Sequence, residues 1–189
     1  QAGETEIRVL VPDGPPSAQP YATLYVLPVE AGDGRRWGDA QQEICRHDLH
    51  NKRRLVCVYP TFSHLPWYAD HPQQSTIRQE RYFLSVVVPF VERTYPVRQD
   101  SSGRLLVGFS KSGWGAFSLL LRHPDRFAKA AAWDAPLAMS QPNRFGMPTR
   151  VTIRFRESDC RGHRIGVSRS GVFARMVTDL LQEGNGFAV

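Results

Sequence analysis

The stretch that decides the fold is Arg104-Leu-Leu-Val-Gly-Phe-Ser-Lys-Ser-Gly-Trp-Gly-Ala-Phe-Ser-Leu-Leu-Leu-Arg122. Its apolar first part, residues 105–109, predicts a short strand, and residues 112–122 have the apolar spacing of a helix. The strand must turn sharply into the helix, and Ser110 stands at that turn. A serine held there exposes its hydroxyl, which is the arrangement of a nucleophile elbow. The alternative is a serine that only caps the following helix.

Small residues surround this turn, as a tight strand-to-helix connection requires. Gly108 stands two residues before Ser110 and Gly113 three after it, whereas Ser112 occupies the position of the usual second glycine. A second apolar strand is predicted over residues 128–133. Because a Gly-x-Ser triplet alone is common, the order of strand, turn, helix and strand carries the prediction.

The composition is that of one globular domain. The chain has 189 residues, 41% of them hydrophobic and 22% charged, and no apolar run long enough to span a bilayer. The net charge of +6 is concentrated in residues 150–175, where seven arginines stand against Glu157 and Asp159. No interleaved aromatic residues and no known nucleic-acid module accompany these arginines, so we expect no nucleic-acid partner.

Neither a metal nor a nucleotide cofactor is expected. Cys45, Cys57 and Cys160 lack the spacing of metal ligands, and their odd number leaves at least one thiol unpaired within the chain. Gly32-Asp-Gly34 lacks the pattern of a phosphate-binding loop. The chain starts at Gln1, which indicates a processed or trimmed start. The compartment therefore stays open, with a secreted or periplasmic location as one alternative.

Strand-like and helix-like segments alternate along the chain, which favours an α/β sheet. Pro89 is expected to kink or restart the helix in which it lies. A core of residues 1–149 is followed by an atypical arginine-rich segment, residues 150–189, of the same domain. The predicted strands are residues 6–12, 21–29, 55–59, 104–109, 129–133 and 151–155, and the predicted helices are residues 76–95, 112–122 and 172–182, with a polar helix or loop over residues 37–49.

Three further stretches resemble the esterase-D and antigen-85 type branch of the α/β-hydrolases. They are Tyr25-Val-Leu-Pro-Val-Glu-Ala-Gly32, Tyr59-Pro-Thr-Phe-Ser-His-Leu-Pro-Trp-Tyr-Ala-Asp70 and residues 130–136, and with the elbow the resemblance covers about residues 21–137. It implies a three-layer α/β-hydrolase-like fold with a mostly parallel central sheet. It also implies a carboxylic-ester hydrolase or acyltransferase that acts on a small acyl ester through a serine, histidine and acid triad, without a cofactor.

The resemblance assigns roles to matching positions. Ser110 is the expected nucleophile, and the backbone N–H of Lys111 is the expected first donor of the oxyanion hole, while its side chain is expected to be solvated. The second donor is expected in the loop after the strand of residues 21–29, at Val29 or Glu30. Within residues 59–70, Trp67 and Tyr68 are expected to form the wall of the acyl pocket, with His64 close to the substrate.

The remainder of the triad is less determined. The family commonly places its acid and histidine farther from the nucleophile than this chain extends beyond Ser110, so we expect the last strands of the sheet to be missing. A serine needs only a base within reach and an acid that orients the base, in any sequence order. Asp134 is the candidate acid, and His163 or His64 is the candidate base. His163 alternatively belongs to a flexible tail, and His64 to the surface of a loop.

Two other functions share the same residues. A catalytically silent or truncated hydrolase-like protein would bind a partner, and an unpaired sheet edge would then favour a homo-oligomer. Acyl transfer would use the same nucleophile.

Overall fold

The computed structural model describes residues 4–15, 17–32 and 34–135, and in this part the chain forms a five-stranded sheet. The strand order is β1-β3-β2-β4-β5, in which β1 pairs antiparallel with β3 and the other strands are parallel. The sheet is therefore mostly parallel, as the sequence predicts. The strands are β1 (Ile7–Leu10), β2 (Ala22–Val26), β3 (Leu55–Pro60), β4 (Arg104–Phe109) and β5 (Lys129–Trp133).

Helices lie on both faces of this sheet. A 3₁₀ turn at Ser101–Gly103 leads into β4, and another spans Arg35–Trp37. The α-helices are α1 (Ala40–Arg46), α2 (Leu49–Lys52), α3 (Gln79–Tyr82), α4 (Val88–Thr94) and α5 (Lys111–Arg122), and a π-helical turn over Phe83–Val87 joins α3 to α4.

The long helix predicted over residues 76–95 differs from the structure in two ways. It begins at Gln79, and the π-helical turn interrupts it. A second helix, α4, begins after this turn, and Pro89 lies in its first turn. Proline has no N–H and cannot bond to the preceding turn, so its position just inside a restarted helix removes no hydrogen bond. The predicted restart is therefore found.

Two apolar layers bury the faces of the sheet. On one face, Tyr25, Val58 and Leu106 pack with side chains from α4 and α5. On the other face, Leu24, Cys57 and Leu105 pack with side chains from α1 and α2. Every residue of β3 is buried, as expected for a strand covered on both sides. This arrangement confirms the predicted three-layer α/β-hydrolase-like fold.

Several sequence predictions lie outside the described residues: the strand over residues 151–155, the helix over residues 172–182, the arginine-rich segment and His163. Within the described part, no helix is both long and apolar enough to cross a bilayer.

Candidate active site

Ser110 occupies the sharp connection between β4 and α5. Its backbone has φ 51° and ψ −122°, a positive φ that costs a non-glycine residue roughly 1–3 kcal/mol. The conformation is held by the N–H of Ser110, which donates to the carbonyl oxygen of Trp133 at 2.9 Å. The Ser110 side chain makes no capping hydrogen bond to the helix. The backbone of Ser110 therefore differs from that of an ordinary serine cap, and the predicted elbow is the alternative that this geometry favours.

The residues around the turn show why it needs small side chains. A Cβ on Gly108 would lie 2.2 Å from the carbonyl oxygen of Ser112. The buried Ser112 hydroxyl accepts from the N–H of Phe109 at 2.9 Å and donates to its carbonyl oxygen at 2.9 Å. Serine in the position of the second glycine therefore ties the helix start to the end of β4. A Cβ on Gly113 would lie 2.8 Å from that of Ala132, so α5 approaches β5 closely.

The loop after β2, residues 28–32, is held beside the elbow by contacts from two directions. The Tyr68 hydroxyl donates to the carbonyl oxygen of Pro28 at 2.5 Å, and the N–H of Gly32 donates to that of Phe62 at 2.8 Å. From the elbow, Nζ of Lys111 donates to the carbonyl oxygen of Val29 at 3.4 Å. The predicted oxyanion loop and the predicted nucleophile are therefore neighbours in space.

The side chain of Lys111 is only partly solvated, whereas the sequence predicts a solvated side chain. The side chain is partly buried, and its Nζ lies 5.1 Å from the centre of the Trp67 ring, within cation–π range. Desolvation lowers the pKa of Lys111, while the carboxylate of Glu30 acts in the opposite direction. This partial burial results from tertiary contacts, since Trp67 and Glu30 belong to loops that are distant from Lys111 in the sequence.

The aromatic loop, residues 61–70, contributes one partly exposed ring and one buried ring. Trp67 is partly buried and meets Trp114 of α5 edge-to-face at 6.3 Å. Tyr68 is fully buried at φ 54°, with its ring edge-to-face against Phe62 at 5.3 Å. Burial raises the pKa of the Tyr68 hydroxyl well above its usual range. Trp67 thus has the exposure that a pocket wall needs. Tyr68, which the sequence also predicts in that wall, is instead fully buried, and its hydroxyl holds the loop after β2 at Pro28.

Gln79 is a supporting residue that sequence reasoning missed. Its buried side chain accepts from the N–H of Trp67 at 2.8 Å and donates to the carbonyl oxygen of Leu65 at 2.9 Å. It anchors the aromatic loop to the first residue of α3. A glutamine at a helix start has no sequence signal for this role, because its partners are backbone groups over ten residues away. Gly115 was missed likewise: its lack of a Cβ makes room for the Tyr68 ring.

Two of the three candidates for the acid and the base, Asp134 and His64, lie within the described residues. Asp134 directly follows β5, at φ 52°, and β5 pairs Trp133 with Phe109. Asp134 is therefore next to the elbow at the carboxyl edge of the sheet, with its side chain exposed. His64 is exposed in the aromatic loop, where its Nδ1 lies 3.0 Å from the Ser63 hydroxyl. His163 is outside the described residues.

The arrangement is suited to acyl chemistry. Ser110 stands at the N-terminus of a twelve-residue helix, whose first N–H groups have no partner within the helix and whose dipole favours negative charge there. An oxyanion that forms beside Ser110 would meet those groups. In residues 4–15, 17–32 and 34–135, no group of three or more His, Cys, Asp or Glu residues is placed to hold a metal.

Comparison with known proteins gives the family. The family model described as "Putative esterase" matches residues 50–162, more than half of the chain. The chain belongs to this esterase family. One curated relative is the esterase Rv1288 of Mycobacterium tuberculosis, which is 24% identical to this chain over 143 residues. The match covers 70% of this chain and 29% of the relative.

Solved structures share the fold of the esterase-family chain. FphF, a fluorophosphonate-binding serine hydrolase of Staphylococcus aureus, is 20% identical with a TM-score of 0.57, over 71% of this chain and 55% of its own. MPT51 of Mycobacterium tuberculosis is 20% identical with a TM-score of 0.55, over 74% and 48%. The chain thus spans about half the length of these structures and less than a third of the curated relative.

Proposed function

We propose that this chain carries the nucleophile and the oxyanion hole of a serine-dependent carboxylic-ester hydrolase. The observation that carries the proposal is the backbone of Ser110, held at a positive φ between β4 and the N-terminus of α5 with its hydroxyl outside the hydrogen bonding of the helix. Such strain is typical of functional positions. The names of the relatives, an esterase and a serine hydrolase, agree with this class.

In the proposed reaction, Oγ of Ser110 attacks the acyl carbonyl carbon of a small ester while a histidine takes the hydroxyl proton. The carbonyl electrons move onto oxygen, which accepts hydrogen bonds from the backbone N–H of Lys111 and from that of Val29 or Glu30. Collapse of this intermediate expels the alcohol with the proton from the histidine. Water then attacks the acyl-serine by the same steps and releases the acid.

The triad is completed by proposal as well. Asp134 is the proposed acid, because it adjoins the elbow at the same edge of the sheet. The proposed base is His163, with His64 as the alternative. Trp67 is the proposed wall of the acyl pocket, since its ring is partly exposed beside Lys111.

The test is covalent labelling of the purified chain with a fluorophosphonate probe, together with hydrolysis of p-nitrophenyl acetate. Ser110→Ala is expected to abolish both, whereas Ser118→Ala, a serine near the other end of α5, is expected to retain both. Peptide mass spectrometry locates the adduct. A folded wild-type chain that neither labels nor turns over would contradict the proposal and favour a silent, partner-binding role.

The same experiment separates hydrolysis from acyl transfer. Added alcohol would divert the acyl group into a new ester if the chain is a transferase. Loss of turnover in His163→Ala or in His64→Ala, with folding retained, would assign the base.

A further inference from the structure

Lys111 links the three segments that build the site. Its backbone begins α5 directly after Ser110, and its ammonium group reaches the carbonyl oxygen of Val29 in the loop after β2 and the face of Trp67 in the aromatic loop. A lysine side chain commonly lays its carbon stem along apolar surface and keeps its charged head in water. Here the ammonium is partly desolvated, and it retains contacts to both loops.

We propose that Lys111 is a positioning residue whose side chain fixes the second oxyanion donor. The inference rests on the proposed function of the site. The carbonyl oxygen of Val29 belongs to the peptide unit that also carries the N–H of Glu30. Since a peptide unit is planar, a contact that fixes the direction of this carbonyl also fixes the direction of that N–H. One residue would then donate to the oxyanion with its backbone and aim the other donor with its side chain.

The hydrogen bonds with the aromatic loop hold the two ends of the loop after β2 and not the peptide between Val29 and Glu30. Tyr68 holds the carbonyl of Pro28, and Gly32 is bonded to Phe62, so both ends of the loop are attached to the aromatic loop. The peptide between Val29 and Glu30 lies between those attachments, and among the described residues the hydrogen bond to its carbonyl comes from Lys111. The centre of the Trp67 ring lies 5.1 Å from the same ammonium group, which gives that group a second contact, within cation–π range.

The test compares Lys111→Met, which keeps the length of the side chain and removes its charge and donors, with Lys111→Arg, which keeps both. We expect kcat for p-nitrophenyl acetate to fall about 10- to 100-fold in Lys111→Met, with KM changed less than about threefold, because the donor acts on the transition state. Lys111→Arg is expected to recover most of the loss. Lys111→Ala, which also removes the charge and the donors, replaces Lys111→Met if the latter does not fold.

The matched control is Lys52→Met. Lys52 also donates from Nζ to a backbone carbonyl, that of His47 at 3.0 Å, but on an exposed helix end. Its loss is expected to leave kcat unchanged. An unchanged kcat in Lys111→Met, or an equal loss in Lys52→Met, would overturn the inference.

A second readout keeps this inference distinct from the proposed function. Hydrogen–deuterium exchange of a peptide that contains residues 28–32 is expected to be faster in Lys111→Met than in the wild type and unchanged in Lys52→Met. This comparison needs no activity. If the wild type neither labels nor turns over but the exchange differs, the proposed function fails and the positioning contact stands; if the exchange is unchanged, the positioning role is refuted.

Discussion

Substitution of Gly115 by alanine tests the packing beneath the site. An added Cβ would lie 2.1 Å from Cδ2 and 2.7 Å from Cε2 of Tyr68, where carbon atoms normally approach to about 3.5 Å or more. The ring would have to move by about 1.5 Å to restore normal contact. It has little room to do so, because it is fully buried against Phe62 and its hydroxyl is bonded to Pro28.

Two opposing effects decide the size of the change. Alanine favours a helix interior over glycine by about 1 kcal/mol. Overpacking a rigid core costs about 1–3 kcal/mol, and loss of the Tyr68 hydrogen bond to Pro28 adds about 1 kcal/mol. We therefore expect Gly115→Ala to lower the free energy of unfolding by about 1–3 kcal/mol. In a chain of this length each 1 kcal/mol corresponds to a fall in Tm of about 2–4 °C.

Thermal unfolding followed by circular dichroism measures this shift. Leu121→Ala, on the exposed face of the same helix, is the control and is expected to change stability much less. In the double variant Gly115→Ala/Tyr68→Leu the clash is absent, so its loss of stability is expected to be smaller than the sum of the two single losses. A rise in Tm for Gly115→Ala would refute the packing of Tyr68 on α5, since the helix preference of alanine would then act unopposed.

Three further predictions concern buried polar groups. Gln79→Leu is expected to lower stability by about 1–3 kcal/mol in chemical denaturation, because it leaves backbone groups of the aromatic loop unpaired; an unchanged midpoint would contradict that anchor. Ser112→Ala is expected to cost about 1 kcal/mol and to slow fluorophosphonate labelling, whereas equal labelling would show that the Phe109 contacts are dispensable. Iodoacetamide at pH 8 is expected to modify the exposed Cys45 and spare the buried Cys57 until the chain unfolds, as peptide mapping would show.

The buried Cys57 thiol is also expected to make the folded chain less stable at alkaline pH. Burial raises the pKa of the Cys57 thiol from 9.0 to about 12. Between these values the folded chain keeps the proton while the unfolded chain releases it, so the folded state binds more protons. The contribution of the buried Cys57 thiol to the free energy of unfolding is therefore fully present below pH 9.0 and is lost as the pH rises towards 12. The buried hydroxyls of Tyr25 and Tyr59, whose pKa values burial also raises, act in the same direction.

The sequence was sufficient for the elements whose signals are local. The apolar run before Gly108 and the small residues after Ser110 predict the strand, the turn and the helix, and these lie within two residues of their positions in the structure. The sequence predicts the start of α3 at residue 76, three residues before Gln79, because Ser75 is a good capping residue that the chain does not use for this helix. Local preference there was overridden by the bonds of Gln79 to the aromatic loop.

The side-chain roles that depend on distant contacts were not predictable in this way. The sequence predicts the Lys111 side chain in solvent, as is usual for lysine. Only the fold brings Val29 and Trp67 to its ammonium group. In the same way, Tyr68 was expected as a pocket wall from its place in an aromatic loop, and its full burial follows from the space that Gly115 leaves on α5.

The family resemblance includes two stretches that contact each other in the fold. The stretches that carry it, residues 25–32 and residues 59–70, bond to each other through Pro28 and Gly32. The proposed oxyanion hole would depend on that attachment, since its proposed second donor lies in a loop with no regular structure of its own. In serine hydrolases the oxyanion hole and substrate binding alone retain about 10³–10⁴-fold catalysis over water when the triad is broken. The described residues therefore contain the part of the proposed site whose effect does not depend on which histidine serves as the base.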